Sequence, residues 1–283
     1  MHTIDFSTLK TLSVSIEHHV AHIELSRPEA LNSMIPAFWT ELPAVVRQID
    51  ADANARVIVI SSQGKHFSAG MDLSVFTEMG KSFSGEPARR SERMRRMVLE
   101  LQDSFNALEE ARIPVLVAMQ GGVIGGAVDM VSAADCRYCT EDAYFTIKET
   151  ELGMTADVGT LQRLPHLIPQ GLVRELAFTG RNMRAQEAQS CGLVNQVFSD
   201  QASMLAAVMA IAAKIAVNSP MAVSGCKEML NYSRDHSVND SLNYMATWQA
   251  GMFQMPDVQE AMTAGQQKRL PEYAPLHKKI SSM

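Results

Sequence analysis

"VLVAMQ" at residues 115–120 runs directly into "GGVIGGAVDM" at 121–130, and this junction decides the fold class. The first piece is a short, continuous apolar run. It reads as a strand buried on both faces, because a strand with one wet face would alternate apolar and polar residues. The second piece is a glycine turn that opens a helix. "RVIVISS" at 56–62 repeats the form and leads into a second glycine turn, "GKHFSAGMDL" at 64–73. Between the two strands, "ARRSERMRRMVLELQDSFNAL" places Met94, Met97, Val98, Leu101, Phe105 and Leu108 on one helical face. Buried strands alternating with helices imply an α/β architecture.

Working outward, "LSVSIE" and "HVAHIELS" alternate with period two, which suggests a hairpin. His18, His19 and His22 lie there; alternation puts His19 and His22 on opposite faces, so they are expected to be surface or packing residues rather than metal ligands. "RPEALNSM" at 27–34 is a proline-broken turn, followed by a helix over about 37–50. Beyond about residue 200 the pattern is helical throughout, with segments at 203–217, 220–232, 237–253 and 256–267. The expected organisation is a core over 1–200 that carries the active site and a helical region over 201–283; such a tail serves assembly or closes a site, and the pattern alone does not say which. No internal repeat or low-complexity linker interrupts it.

Composition narrows the function. In 283 residues, 46% are hydrophobic and 20% charged, enough apolar material for a full core. A net charge of −6 argues against a general nucleic-acid binder. Arg89, Arg90, Arg93, Arg95 and Arg96 form a local basic run without an aromatic stacking platform, so it reads as a solvated or subunit-contacting helix face. The longest apolar run, "MLAAVMAIAA" at 204–213, is too short to span a bilayer, so no membrane partner is expected. Cys136, Cys139, Cys191 and Cys226 are sparse, as in a reducing compartment. The C-x-x-C of "CRYCT" sits on an expected strand that would point its two thiols apart. A polar, acid-bearing start and a terminal "ISSM" carry no evident targeting signal, and a cytoplasmic location is expected.

The glycine turns exclude some chemistry. The dinucleotide spacing G-x-G-x-x-G fails because Val123 holds the second glycine's place, and no Walker lysine follows. Ser68 lacks the nucleophile elbow, since His66 replaces its first glycine. What the turns can supply is backbone N–H groups: a helix N-terminus presents unpaired donors to an anion, and a second turn could aim another donor at the same oxygen. Acids are the remaining reagents. Asp129 interrupts an apolar helical run, where a charge is costly unless paired or functional. "KETELGMTADVGTLQRLP" at 148–165 adds Glu149, Glu151 and Asp157. If "YFTIK" continues as a strand, Glu149 and Glu151 share a side, and pattern alone does not choose between them. Asp157 stands before an expected helix start, where an N-cap is a strong competing role.

"RPEALNSM", "FSAGMDL", "GGVIGGAVDM" and "ADVGTLQRLP", in that order, resemble the crotonase (enoyl-CoA hydratase/isomerase) superfamily, from about residue 11 to about 265. "KETELGMTADVGTLQRLP", "AADCRYCTEDAYFTIKE" and "YSRDHSVNDSLNYMATW" look like its Δ3,5-Δ2,4-dienoyl-CoA isomerase branch. The resemblance implies a spiral of ββα units in two roughly perpendicular sheets, with a helical C-terminal region supporting trimers that commonly pair into hexamers. It implies an acyl-CoA substrate whose CoA enters as part of the thioester, no metal or redox cofactor, and a place in fatty-acid β-oxidation. Carried over, the oxyanion donors are the N–H groups of Met71 and Gly126. Ala69, Gly70, Met71, Asp72 and Leu73 line the thioester site, and Asp129, Glu149 and Asp157 are the catalytic acids. Glu151 becomes a bystander. A hydratase has glutamate at the positions of Asp129 and Glu149 and glycine at that of Asp157. Ala127 departs from the family, many members of which have a third glycine there. The readings that compete with an isomerase are a hydratase or other acyl-CoA isomerase, a non-catalytic RNA-binding relative and, least favoured, a dehydrogenase.

Overall fold

The computed structural model describes residues 4–75, 77 and 85–279; the terminal "ISSM" lies outside them. The chain enters on the expected hairpin. β1 (Leu12–Glu17) and β2 (Val20–Leu25) pair antiparallel, Leu12 opposite Leu25 and Glu17 opposite Val20. His18 and His19 form the turn itself, with φ of 47° and 64°, because a two-residue hairpin turn needs positive φ to match the strand twist. The alternation argument therefore does not reach His19. His22, within β2, hydrogen-bonds Ser61 Oγ at 2.7 Å.

α1 (Phe38–Asp52) leads to β3 (Val57–Ser62), which is buried at every position. α2 (Pro87–Glu110) leads to β4 (Val115–Met119), also buried throughout. Each fully buried branched side chain in such strands contributes roughly 1.5–3 kcal/mol relative to exposure. β5 (Gly122–Ile124), α3 (Gly126–Ser132), β6 (Cys136–Thr140) and β7 (Tyr144–Thr146) follow. Then come α4 (Thr160–Arg163), α5 (Gln170–Thr179), β8 (Met183–Arg184), α6 (Ala185–Ser190) and β9 (Gln196–Phe198).

Two sheets result. The larger runs β1-β2-β3-β4-β6-β9, the smaller β5-β7-β8. From β2 onward, neighbours in the larger sheet are parallel. The chain places a strand in the large sheet, then one in the small sheet, then a helix: β4, β5, α3 make one such turn, and β6 and β7 begin the next. Ser68 bridges Val123 in parallel, so the segment after β3 makes the same step one turn earlier. This is the α/β spiral of ββα units that the resemblance implied.

Four helices close the chain: α7 (Gln201–Ala216), α8 (Pro220–Ser233), α9 (Val238–Met252) and α10 (Met255–Gln267). α7 lies on the large sheet, packing Met204, Val208, Ala212 and Ala216 against Val57, Val59, Leu116 and Ala118. The opposite face of that sheet joins the main core with α1, α2 and α3. Cys136 packs on the α7 side and Cys139 in the main core, so the C-x-x-C does point its thiols apart. α8 is tied down by Lys227, buried, which donates to Leu108 O (2.8 Å) and Ile113 O (3.1 Å) and pairs with Asp135 (2.9 Å). α9 has no buried residue. Among the described residues no single helix is long and apolar enough to cross a bilayer.

Candidate active site

The two glycine turns meet. Met34 N–H donates to Gly70 O (2.8 Å) and Asp72 N–H to Met34 O (3.2 Å), an isolated parallel bridge. In an extended chain successive peptide groups face opposite ways, so using Gly70 O and Asp72 N–H on one side turns the Met71 N–H to the other. Gly126 lies on that side. A Cβ built on Gly126 would stand 3.7 Å from Met71 N, and one on Gly70 only 3.2 Å from Gly126 N. Gly126 is the first residue of α3, where no intrahelical acceptor exists and the helix dipole is positive. Among the described residues neither N–H has an acceptor. Met34 Sδ and Trp39 flank the pair. The structure thus brings both expected donors together.

Glycine is required at both turns. Gly70 has φ +81°, and a Cβ there would collide with Ile124 O. Gly125 has φ 54° and ψ −120°, a region essentially closed to other residues. Ala127 sits one residue further along α3, fully buried in the core.

The rest of the segment expected at the thioester divides by role. Ala69 N–H bonds Leu31 O at 2.9 Å. Asp72 accepts from the Ser74 hydroxyl and N–H and from Ser33 Oγ, and these bonds, the Ser74 hydroxyl foremost, lower its pKa to about 2. Its carboxylate is committed to closing the loop. Leu73 is largely exposed. Ser68 is fully buried and engaged by Asn32 O and Gly70 N–H, a structural role. Asn32, unremarked in the sequence, holds the 27–34 turn to this loop by bonding Gln63 O and His66 O.

Asp129 is 1% exposed on α3. Its Oδ1 accepts from Thr160 N–H at 2.6 Å, so Asp129, not Asp157, satisfies the start of α4. The N-cap position of α4 is Gly159 and no side chain caps it there, which removes the capping role weighed for Asp157. No donor from another described residue reaches the Asp157 carboxyl. It stands exposed at the site's edge, yet burial of its inner side raises its pKa.

Glu149 and Glu151 do not continue a strand. β7 ends at Thr146, and residues Glu149–Leu152 form a 3₁₀ turn. The alternation that would have put both acids on one side is therefore absent: three residues per turn separates positions two apart. Glu149 turns inward, its Oε1 3.1 Å from where a Cβ on Gly125 would stand, against the oxyanion turn. Glu151 pairs with Lys148 on the surface.

Charge links the acids: Asp129 and Asp157 act on Glu149, and Asp157 acts on Asp129. Desolvation, then the charges of Asp129 and Asp157, push Glu149 up to about 7. Desolvation raises Asp129 to about 6, with Asp157 adding to the rise, while the Thr160 bonds and Arg163 oppose it. Neighbouring buried carboxylates cannot all ionise cheaply, so protons are shared over the set. The site therefore joins a base poised near neutrality, a second acid nearby and two convergent N–H donors.

The profile of the enoyl-CoA hydratase/isomerase family matches residues 15–275. The chain belongs to that family. It is 47% identical over 257 residues to the mitochondrial Δ(3,5)-Δ(2,4)-dienoyl-CoA isomerase of Mus musculus, covering 90% of this chain and 79% of that protein. It is 39% identical over 273 residues to the peroxisomal Δ(3,5)-Δ(2,4)-dienoyl-CoA isomerase of Arabidopsis thaliana, covering 96% and 98%. Among solved structures, the enoyl-CoA hydratase from Bacillus anthracis superposes with a TM-score of 0.83 at 32% identity, covering 93% of this chain and 99% of that one.

Proposed function

We propose that the protein is a Δ3,5-Δ2,4-dienoyl-CoA isomerase acting on an acyl-CoA substrate. A 3,5-dienoyl thioester has acidic protons at carbon 2. Glu149 takes one: the C–H bond breaks, the proton passes to the carboxylate, and the electron pair delocalises from the thioester oxygen to carbon 6. The N–H groups of Met71 and Gly126 hold the oxygen as it becomes negative, and such a donor is typically worth about 3–4 kcal/mol in the transition state. Asp157 gives its proton to carbon 6 and becomes a carboxylate, leaving the 2,4-dienoyl product. Glu149 then carries the extra proton, and exchange with solvent resets both acids. Asp129, hydrogen-bonded at Thr160, sets the orientation and charge state of Glu149. CoA serves as carrier of the substrate, and no step calls for a metal or redox group.

The observation that carries this reading is Asp157: an acid raised by burial that caps nothing and whose charge in turn raises the other two carboxylates. A hydratase needs two acids around one water near carbons 2 and 3 and has no use for the third. The test is to mix purified protein with 3,5-octadienoyl-CoA and follow the longer-wavelength absorbance of the conjugated product. Absorbance should rise with wild type and not with Asp157→Asn, whose melting temperature stays close to wild type. No gain, together with efficient hydration of crotonyl-CoA, would favour a hydratase. Surviving activity in Asp157→Asn would return that residue to a structural role.

Three further features belong to the same reading. The product class suits fatty-acid β-oxidation. The helical region over 201–283 is proposed to assemble trimers or pairs of trimers, on the strength of apolar side chains left exposed along α9 and α10. A cytoplasmic location rests on four free cysteines; the relatives named above are mitochondrial or peroxisomal.

A further inference from the structure

The carboxyl of Asp157 receives no bond from another described residue, so its position follows the backbone that carries it. That backbone is held from α2. Gln102 Nε2 donates to Asp157 O at 2.6 Å. One residue on, Val158 O accepts from Arg163 Nη1 at 3.4 Å. The Arg163 guanidinium is itself fixed, donating to Asn106 Oδ1 (2.6 Å) and pairing with Glu109 (3.0 Å), and it is only 11% exposed. Gly159, with φ 133°, leaves room for that guanidinium where any Cβ would strike it. Gln102, Asn106 and Glu109 are spaced i, i+4, i+7, one stripe of α2. Beside it runs the apolar stripe Leu101, Phe105 and Leu108, buried in the core. The same helix therefore packs on the core with one stripe and grips the 157–163 segment with the next.

We propose that Gln102 is a positioning residue for proton delivery at carbon 6, assisted by Asn106 and Glu109 through Arg163. This rests on the isomerase reading above. Asp157 must present its proton to a carbon several bonds from where Glu149 works, so the two acids need a fixed separation. Glu149 is placed by the 3₁₀ turn beside the oxyanion hole; Asp157 is placed by α2. Loss of the Gln102 donor frees the Asp157–Val158 peptide to rotate and swings the carboxyl with it. Misplacement by about 1 Å can cost roughly 100-fold in rate. The carbon-2 step, carried by Glu149 and the oxyanion donors, is untouched by this change.

The experiment separates the two halves of the reaction. Purified full-length wild type, Gln102→Met (similar length, no donor) and Gln102→Lys (donor restored) are given 3,5-octadienoyl-CoA in deuterated water. Formation of the conjugated product and deuterium incorporation at carbon 2 of recovered substrate are both followed. Gln102→Met should lower kcat for isomerisation about tenfold or more, with KM and melting temperature near wild type. The ratio of carbon-2 exchange to isomerisation should rise by a similar factor, since the dienolate returns to carbon 2 when carbon 6 is not protonated. Gln102→Lys should recover most of the loss. Isomerisation in Gln102→Met within about twofold of wild type overturns the inference, as does a fall in rate with the exchange ratio unchanged, which marks a merely structural role. An inactive wild type overturns the isomerase reading along with it; an active wild type with an indifferent Gln102→Met overturns this inference alone.

Discussion

Glu149 and Asp129 each retain a proton in the folded chain to a higher pH than an unfolded chain would. Their folded values of about 7 and about 6 lie above the ordinary 4.5 and 3.8, with desolvation the largest cause in both. Between the ordinary and folded values the native state binds more protons than the unfolded state. Stability therefore falls as pH rises through that window. The charge that the proposed role asks of Glu149 is thus a charge the fold tolerates at a cost. Glu149→Gln should abolish isomerisation while raising the melting temperature at about pH 8, by roughly 2–4 °C for each kcal/mol relieved, with little change near pH 4.5. Equal loss of stability at both pH values would show that Glu149 is held by favourable bonds rather than strained by burial. For the wild type, kcat/KM should fall as pH drops below about 7, where Glu149 becomes protonated. At this scale the sequence supplied the candidate acids but not their placement. Glu149 and Glu151 are two residues apart, and only the 3₁₀ turn sends one inward and the other to Lys148. Asp157 looked like a cap, yet the Thr160 N–H is satisfied from Asp129, 31 residues away in sequence. Gln102 carried no signal, since a polar residue on the wet side of an amphipathic helix looks like any other.

At the scale of elements, the long helices were legible almost to the residue. The expected segments 203–217, 220–232 and 237–253 correspond to Gln201–Ala216, Pro220–Ser233 and Val238–Met252. The reason is local: Asp200, Ser219 and Ser237 each accept a bond from an N–H in the first turn, and Pro220 supplies a first residue that needs no donor. Local chemistry fixes such ends whatever packs against them. The helix over 37–50 is similar, found at Phe38–Asp52 and ending on Ala53 in the left-handed region. The oxyanion loop is a different kind of element, shaped by the neighbour it touches. Gly70→Ala forces a Cβ toward Ile124 O and must part the two turns. It should lower kcat/KM by about 10²–10³-fold, the usual loss for one oxyanion donor, as measured on the dienoyl thioester. Activity within a few-fold of wild type would show that the Met71 N–H is not one of the donors.

At the scale of the molecule, the chain leaves apolar surface without a partner. Val238, Leu242 and Met245 follow one another at i, i+4, i+7 on α9 and are 77%, 65% and 36% exposed. α8, α9 and α10 also border an open apolar groove of about 620 Å³ lined by Met229, Trp248 and Phe253, none of which belongs to the carboxylate site. Such faces are normally covered by another chain. On the proposed assembly into trimers or pairs of trimers, Leu242→Lys should shift the mass measured by light scattering toward monomer, with the far-ultraviolet helical signal kept. An unchanged mass would assign assembly to another face.

The sequence by itself determined the class of fold, the two buried strands, the helix ends and the set of acids, because each follows from periodicity, capping or residue type within a short window. The tertiary structure decided which of the acids come together and which turns outward. The proposed oxyanion pair needs Met71 and Gly126, 55 positions apart, to come together where Ser68 bridges Val123 and Met34 bridges Met71. The carboxylate set joins α3, a 3₁₀ turn and the loop before α4, held in turn by a stripe of α2. Convergence of that kind depends on how the spiral closes, and closure depends on contacts between segments that no local pattern encodes.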